Sequence, residues 1–113
     1  MPYLARMSVP EGTVLWEQDA PPDGLYIIES GVLRAIYAFA APTPPMEESM
    51  VPGTIAGELS TLSGLARNAT CVVERAAVLW KLSTESLARL ERERPELARA
   101  FTRLILKGKC CSL

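Results

Sequence analysis

Over the first two thirds of the chain, apolar residues occur in short runs separated by turn-forming residues. Proline and glycine interrupt these runs about every ten residues up to Leu82, a rhythm typical of an all-β sandwich or barrel. The pair Ser30-Gly31 predicts a hairpin between two strands, and three prolines within residues 40–45 predict an exposed loop. The candidate strands are residues 13–16, 25–28, 32–39, 47–51, 69–73 and 77–82.

After residue 83 the pattern changes to a helical period. Ser83 offers a hydroxyl that can cap a helix, and Glu85 places a carboxylate in its first turn, so a helix is predicted at about 84–94. Pro95 ends that helix and begins a second one at about 95–106. The second helix carries an apolar stripe of Leu97, Phe101, Leu104 and Ile105.

Composition narrows the class of protein. The chain has 113 residues, of which 49% are apolar and 22% charged, with a formal charge of -1. These values predict one soluble, cytoplasmic domain without a membrane span or a signal peptide. The balanced charge provides no broad basic surface for nucleic acid. Because the chain has no histidine, it cannot build a histidine-dependent catalytic triad.

The three cysteines do not predict a disulfide framework or a metal site. Cys71 lies in an apolar run and is expected to be a reduced core residue. Cys110 and Cys111 stand close to the C-terminus, where the last four residues superficially resemble a prenylation signal. A frayed chain end is the simpler interpretation, since the middle positions of that signal are not aliphatic.

Residues 57–70 are the segment best suited to binding a ligand. Gly57 allows close backbone approach, and a short helical turn starting at Glu58, Leu59 and Ser60 would direct free amides at one anion. Arg67 could add a charge-assisted contact to the same anion, whereas the Glu58 carboxylate suits a neighbouring hydroxyl. A phosphate beside a hydroxyl indicates a nucleotide or a sugar phosphate. The alternative is a surface turn with a solvated glutamate and arginine.

The surrounding residues resemble a known family. Asp19, the stretch from Asp23 to Gly31, the turn Pro52-Gly53, the Gly57-Glu58-Leu59 triplet and the segment 67–70 together resemble the cyclic nucleotide-binding domain of catabolite activator proteins and kinase regulatory subunits. The resemblance implies a mainly β fold with flanking α, namely an eight-stranded jelly-roll β-barrel with C-terminal helices. It covers about residues 9–106, with the barrel at about 9–82, and leaves 1–8 as an N-terminal segment and 107–113 as a tail.

By this resemblance, the ligand is cAMP or cGMP, with no other cofactor. Arg67 would pair with the cyclic phosphate, Glu58 with the ribose 2′-hydroxyl, and the side-chain amide of Asn68 could reach a purine edge. Backbone amides around Gly57, Leu59, Ser60 and Ala69 would complete the phosphate cradle. Two positions depart from the family pattern, Gln18 where glycine is usual and Ala66 where proline is frequent. Both bear on loop geometry, since neither position supplies a ligand group.

The predicted function is therefore regulatory, not enzymatic. Ligand binding would shift the C-terminal helix and signal to an effector outside this chain. Similarity of residues 25–39 and 50–68 to the module appended to sulfate-permease-type transporters suggests a transporter as that effector. Two alternatives stay open: a degenerate scaffold that docks or forms a homodimer through the stripe on the last helix, and, with less support, an enzyme with Glu58 as a general base.

Overall fold

A computed structural model describes the backbone of residues 3–111 and the side chains of residues 3–104. Within this part, six strands precede and flank a short helix, and two longer helices follow. None of the helices in the described range is long and apolar enough to cross a membrane. The elements are β1 (Ala5–Val9), β2 (Val14–Trp16), β3 (Gly24–Tyr37), β4 (Met46–Met50), β5 (Ile55–Ala56), α1 (Glu58–Ser63), β6 (Thr70–Ser83), α2 (Thr84–Glu93) and α3 (Pro95–Cys111).

The strands form one antiparallel sheet around the central pair β3 and β6. The main hydrogen-bonded order is β1-β6-β3-β4, while β2 pairs with β6 and β5 pairs with β3. The sheet begins at residue 5, before the boundary predicted at residue 9, because β1 pairs with β6 from Ala5 opposite Lys81 to Val9 opposite Ala77. The short strand β5 has no counterpart among the predicted strands.

The prediction of a hairpin at Ser30-Gly31 is wrong. Strand β3 continues through both residues and pairs with β6 on either side of them, with register shifts between Ile28 and Leu33. Gly31 has φ of +85°, and a Cβ at this position would collide with the backbone of Ala76 and Ala77. The glycine therefore serves a bulge that bends a continuous strand, not a turn that reverses the chain.

A matching bend makes one strand of two segments that were predicted as separate strands. Residues 69–73 and 77–82 belong to the single strand β6, which bends opposite Gly31. If each bent strand counts as two arms, the six strands supply the eight arms of a jelly roll. The predicted fold class, mainly β with C-terminal helices, is confirmed, although the sheet is barrel-like and not closed.

The core fills the concave side of this sheet. Its largest cluster is formed by buried residues from β3 and β6 together with Val9 and Ala56, and Met7, Leu15, Trp16 and Met50 pack against it. Cys71 lies within this cluster and is fully buried, as predicted, and that burial raises the pKa of its thiol to about 12. A second cluster of Leu25, Leu82 and Leu87 joins the sheet to α2.

The helices close one end of the sheet. The Ser83 hydroxyl accepts a hydrogen bond from the Ser86 amide at 3.0 Å, so the predicted cap is present, and Leu87 and Leu90 are buried on one face. On α3, Ala98 is buried and Phe101 packs against the second cluster, but Leu104 is 68% exposed. The predicted stripe is thus only partly covered. The side chains of Ile105, Cys110 and Cys111 lie outside the described residues.

Candidate functional site

The segment between β5 and β6 forms the short helical turn that the sequence predicted. Gly57 precedes α1 with φ of +78°, and Gly64 ends the helix with φ of +77°. A Cβ on Gly57 would overlap the Arg67 guanidinium and approach Trp16 to 3.1 Å. Glycine is therefore required here both for the backbone conformation and for the space that the arginine occupies.

Arg67 is the centre of this segment because its side chain is turned inward and is only 1% exposed. Its backbone is fixed first: the Arg67 amide donates to the Ala20 carbonyl at 2.8 Å, and its carbonyl accepts from the Asp19 amide at 2.8 Å. A charged side chain at this depth needs partners, since an uncompensated buried charge is costly. The guanidinium donates to Gly57 O at 3.0 Å, Ser60 Oγ at 2.8 Å, Asp23 Oδ1 at 2.9 Å and Gly24 O at 2.7 Å.

Two further features of the guanidinium bear on ligand binding. Its plane lies over the Trp16 ring, with 4.0 Å between Cζ and the ring centroid, and Trp16 in turn stacks on Tyr26 at 5.5 Å. Its Nε–H is buried and has no hydrogen-bond partner in the described structure. Such a donor gains free energy if an acceptor reaches it, since a buried polar group without a partner is costly.

Asp23 anchors the arginine and was not among the predicted site residues. Its carboxylate accepts from Arg67 Nη2 and from Lys81 Nζ, each at 2.9 Å. Partial burial raises the pKa of Asp23, but the hydrogen bonds and charges of Lys81 and Arg67 outweigh it, so the pKa lies below its ordinary value. The only sequence signal was the Asp23-Gly24 pair at the start of β3, and nothing local connects it to a residue 44 positions later.

A cavity of about 430 Å³ opens beside Arg67, within the size range of small-molecule sites. It is lined by residues of β2, β3, β4 and β5 together with α1 and the start of β6, and the exposed Leu104 of α3 borders it. The predicted residues that line it are Gly57, Glu58, Leu59, Ser60, Arg67, Asn68 and Ala69. The structure therefore brings all seven to one place, although their contact with a ligand stays a prediction.

Their individual positions differ. The Ser60 side chain is buried and accepts from Arg67. The Leu59 side chain is apolar and cannot bond to an anion, so only its backbone amide suits one. Glu58 occupies the first helical position, and Asn68 is exposed next to Arg67. Ala69 is buried and its carbonyl accepts from Trp16 Nε1 at 2.9 Å. Trp16 packs against the core and also supports the Arg67 guanidinium, a contact that no neighbouring residue in the sequence indicates.

Fold and site together describe a jelly-roll domain in which an inward arginine lies beside a short helix at the wall of a cavity. The profile of the family described as cyclic nucleotide-binding domain matches residues 6–94. The chain belongs to this family, which confirms the family predicted from its motifs.

Solved structures share this fold. A cyclic nucleotide-binding domain from Methylobacillus flagellatus superposes with a TM-score of 0.86 at 24% identity, covering 98% of this chain and 64% of that one. The catabolite activator protein of Thermus thermophilus superposes with a TM-score of 0.74 at 25% identity, and the match covers 98% of this chain and 56% of that protein. A variant of a cAMP-binding acyltransferase from Mycobacterium smegmatis superposes with a TM-score of 0.69 at 26% identity, and the match covers 82% of this chain and 29% of that protein.

Among curated proteins, the chain is 28% identical over 104 residues to an uncharacterized NTE family protein of Mycobacterium bovis. The match takes in 92% of this chain but only 17% of that relative. This chain thus spans a small part of the length of the curated relative it matches.

Proposed function

We propose that this domain binds a cyclic nucleotide in the cavity beside α1 and regulates an attached effector. One observation carries the proposal: Arg67 lies in the cavity wall, buried and held by four acceptors, with its Nε–H still without a partner among the described residues. A cyclic phosphate has one negative charge and oxygens that accept hydrogen bonds from a guanidinium. All four Nη–H groups of Arg67 already bond to chain acceptors, so a phosphate would bond to the Nε–H or displace one of these acceptors. The fixed position of the guanidinium leaves little side-chain entropy to be lost on binding.

The other polar groups of the cavity fit the rest of such a ligand. The first amides of α1 have no acceptor within the helix, and Arg67 Nη1 bonds to Gly57 O and Ser60 Oγ in the same turn. The Glu58 carboxylate can only accept, so beside an anionic phosphate it requires a hydroxyl such as the ribose 2′-OH. Asn68, with both donor and acceptor groups, is the residue on this side that could meet a purine. Gly57, Leu59, Ser60 and Ala69 would contribute backbone.

Calorimetric titration with cAMP and cGMP tests the proposal. We expect Arg67→Ala to weaken binding at least about 30-fold, the equivalent of ~2 kcal/mol for a charge-assisted hydrogen bond. Since Arg67 also holds the fold together, Glu58→Ala is the second variant, and it should weaken binding about tenfold without unfolding the domain. Arg75→Ala, at an exposed position of β6 outside the cavity, is the control. No heat with either nucleotide at millimolar concentration would refute the proposal.

A docking module without ligand is the second candidate, and the same arginine favours it. Because four chain acceptors already bond to Arg67, the guanidinium has little hydrogen-bonding capacity left for a ligand. The exposed apolar residues of α3, Leu97 and Leu104, would then contact a partner or a second copy. A stable ligand-free dimer in size-exclusion chromatography with light scattering, dissociated by Leu104→Glu, would support this function over nucleotide sensing.

The effector is also a proposal. The cAMP-binding acyltransferase and the NTE family relative are both much longer than this chain, which supports a regulatory domain joined to a larger protein. A sulfate-permease-type transporter, with this domain on its cytoplasmic side, rests on motif resemblance alone. Differential contact of α3 with the free and the occupied cavity would transmit the signal, since Leu104 borders the cavity and Phe101 the core.

A further inference from the structure

One row of paired residues crosses the sheet along the cavity floor. Trp16 of β2 pairs with Cys71 of β6, Cys71 with Ala35 of β3, and Ala35 with Glu48 of β4. All four residues line the cavity, as cross-strand partners on one face should. The guanidinium of Arg67 stacks on Trp16, at one end of the row, so Glu48 marks the opposite end.

The length of this row leaves room for a cyclic nucleotide lying across the strands. Three strand spacings of about 4.8 Å make it about 14 Å from backbone to backbone, and both end side chains project into the space between. A ligand whose phosphate rests on Arg67 would therefore extend its base towards Glu48. The Glu48 side chain is exposed at the cavity edge, where the far end of the base would cover it.

Charge restricts what Glu48 can meet. Of the described residues that line the cavity, three are charged: Arg67, Glu58 and Glu48. The ligand phosphate would pair with Arg67, the single cation among them, and the neighbouring Glu58 carboxylate would accept from the ribose hydroxyl. Glu48 is then a second carboxylate facing an anionic ligand, so binding is favoured only if the ligand presents N–H donors to it.

We propose that Glu48 makes this site selective for guanine over adenine. Guanine carries the adjacent donors N1–H and N2–H₂, which match the two oxygens of a carboxylate, whereas adenine offers only its N6 amine next to the acceptor N1. The acceptor N1 of adenine would face the second carboxylate oxygen and be repelled. This inference rests on the proposed function, and it identifies cGMP as the preferred ligand of the same cavity.

The test is a calorimetric comparison of cGMP, cAMP and cyclic inosine monophosphate, which retains N1–H but lacks the 2-amino group. The unmodified chain should bind cGMP about tenfold or more tightly than cAMP, because a bidentate contact of this kind discriminates bases by about that factor or more. Cyclic inosine monophosphate should lie between them. In the Glu48→Gln variant, the affinity for cGMP should fall about tenfold, and the affinity for cAMP should change less than threefold.

Glu47→Gln is the matched control. Glu47 neighbours Glu48 on β4 but pairs with Ile36, does not line the cavity, and lies 3.7 Å from Arg34 Nη1. It should leave all three affinities unchanged. Equal cGMP and cAMP affinities, or a preference that Glu48→Gln leaves intact, would overturn the role of Glu48 while the proposed function stands. Absence of binding by every nucleotide would overturn both.

Discussion

Removing the Asp23 carboxylate is the most direct test of how the site is held. Asp23→Ala takes one ionic partner from Arg67 and one from Lys81. The two losses are unequal, because the Arg67 side chain is 1% exposed whereas Lys81 is 28% exposed. After the substitution a buried guanidinium remains without a counter-charge, while Lys81 regains hydration.

The expected cost follows from these exposures. Breaking a fully buried ion pair by removing one partner costs about 3–5 kcal/mol, and an exposed pair contributes at most about 1 kcal/mol. Asp23 is about half exposed, so its pair with Arg67 lies between these limits, and we expect a loss of about 2 kcal/mol. Three acceptors, Gly57 O, Ser60 Oγ and Gly24 O, still hold the arginine, and the domain should remain folded.

Urea unfolding followed by tryptophan fluorescence and circular dichroism measures this loss. A decrease of this size should lower the melting temperature by roughly 10 °C. Glu29→Ala is the matched control, since Glu29 also accepts from two neighbours, Arg6 and Trp80, but both it and Arg6 are well exposed. The Glu29→Ala variant should lose clearly less free energy of unfolding than Asp23→Ala. If the two variants lose equal stability, the burial of Arg67 is not what gives Asp23 its importance.

Two further predictions follow from the same contacts. The pKa of Asp23 is lower in the folded chain than its ordinary value, so its contribution to stability is complete above about pH 5 and disappears as pH falls below about 4 through the folded pKa. The stability difference between the unmodified chain and Asp23→Ala should therefore shrink on acidification in urea titrations, and a difference independent of pH down to 2 would contradict the ion pair. Gly57→Ala should destabilise the domain by about 2 kcal/mol or more, because alanine costs about 1–2 kcal/mol at a positive φ and its Cβ would also displace Arg67. A variant as stable as the unmodified chain would show that the backbone at Gly57 adapts.

Residues close in sequence predicted several features well. The hydroxyl of Ser83 and the break at Pro95 place α2 and α3, since capping and helix interruption depend on neighbours within one turn. The order of β before α, and the helical turn after Gly57, follow from similarly local signals.

The bend at Gly31 shows where local signals stop. A glycine with positive φ serves a tight turn or a bulge equally well, and the choice depends on whether another strand pairs with both arms. Strand β6, about 40 residues further on, pairs with both arms and keeps β3 continuous. No short window of sequence contains that information.

The site divides in the same way. The sequence alone determined the family and the fold class, through motifs spread over residues 19–70 and the spacing of the strands. It also located Gly57, Glu58 and Arg67 in one segment, because these residues lie within one loop and helical turn. Only the tertiary structure decided what Arg67 bonds to and how far the cavity extends. Its partners Asp23 and Trp16, and Glu48 at the opposite end of the row, come from other strands, brought together by a sheet whose pairing is long-range.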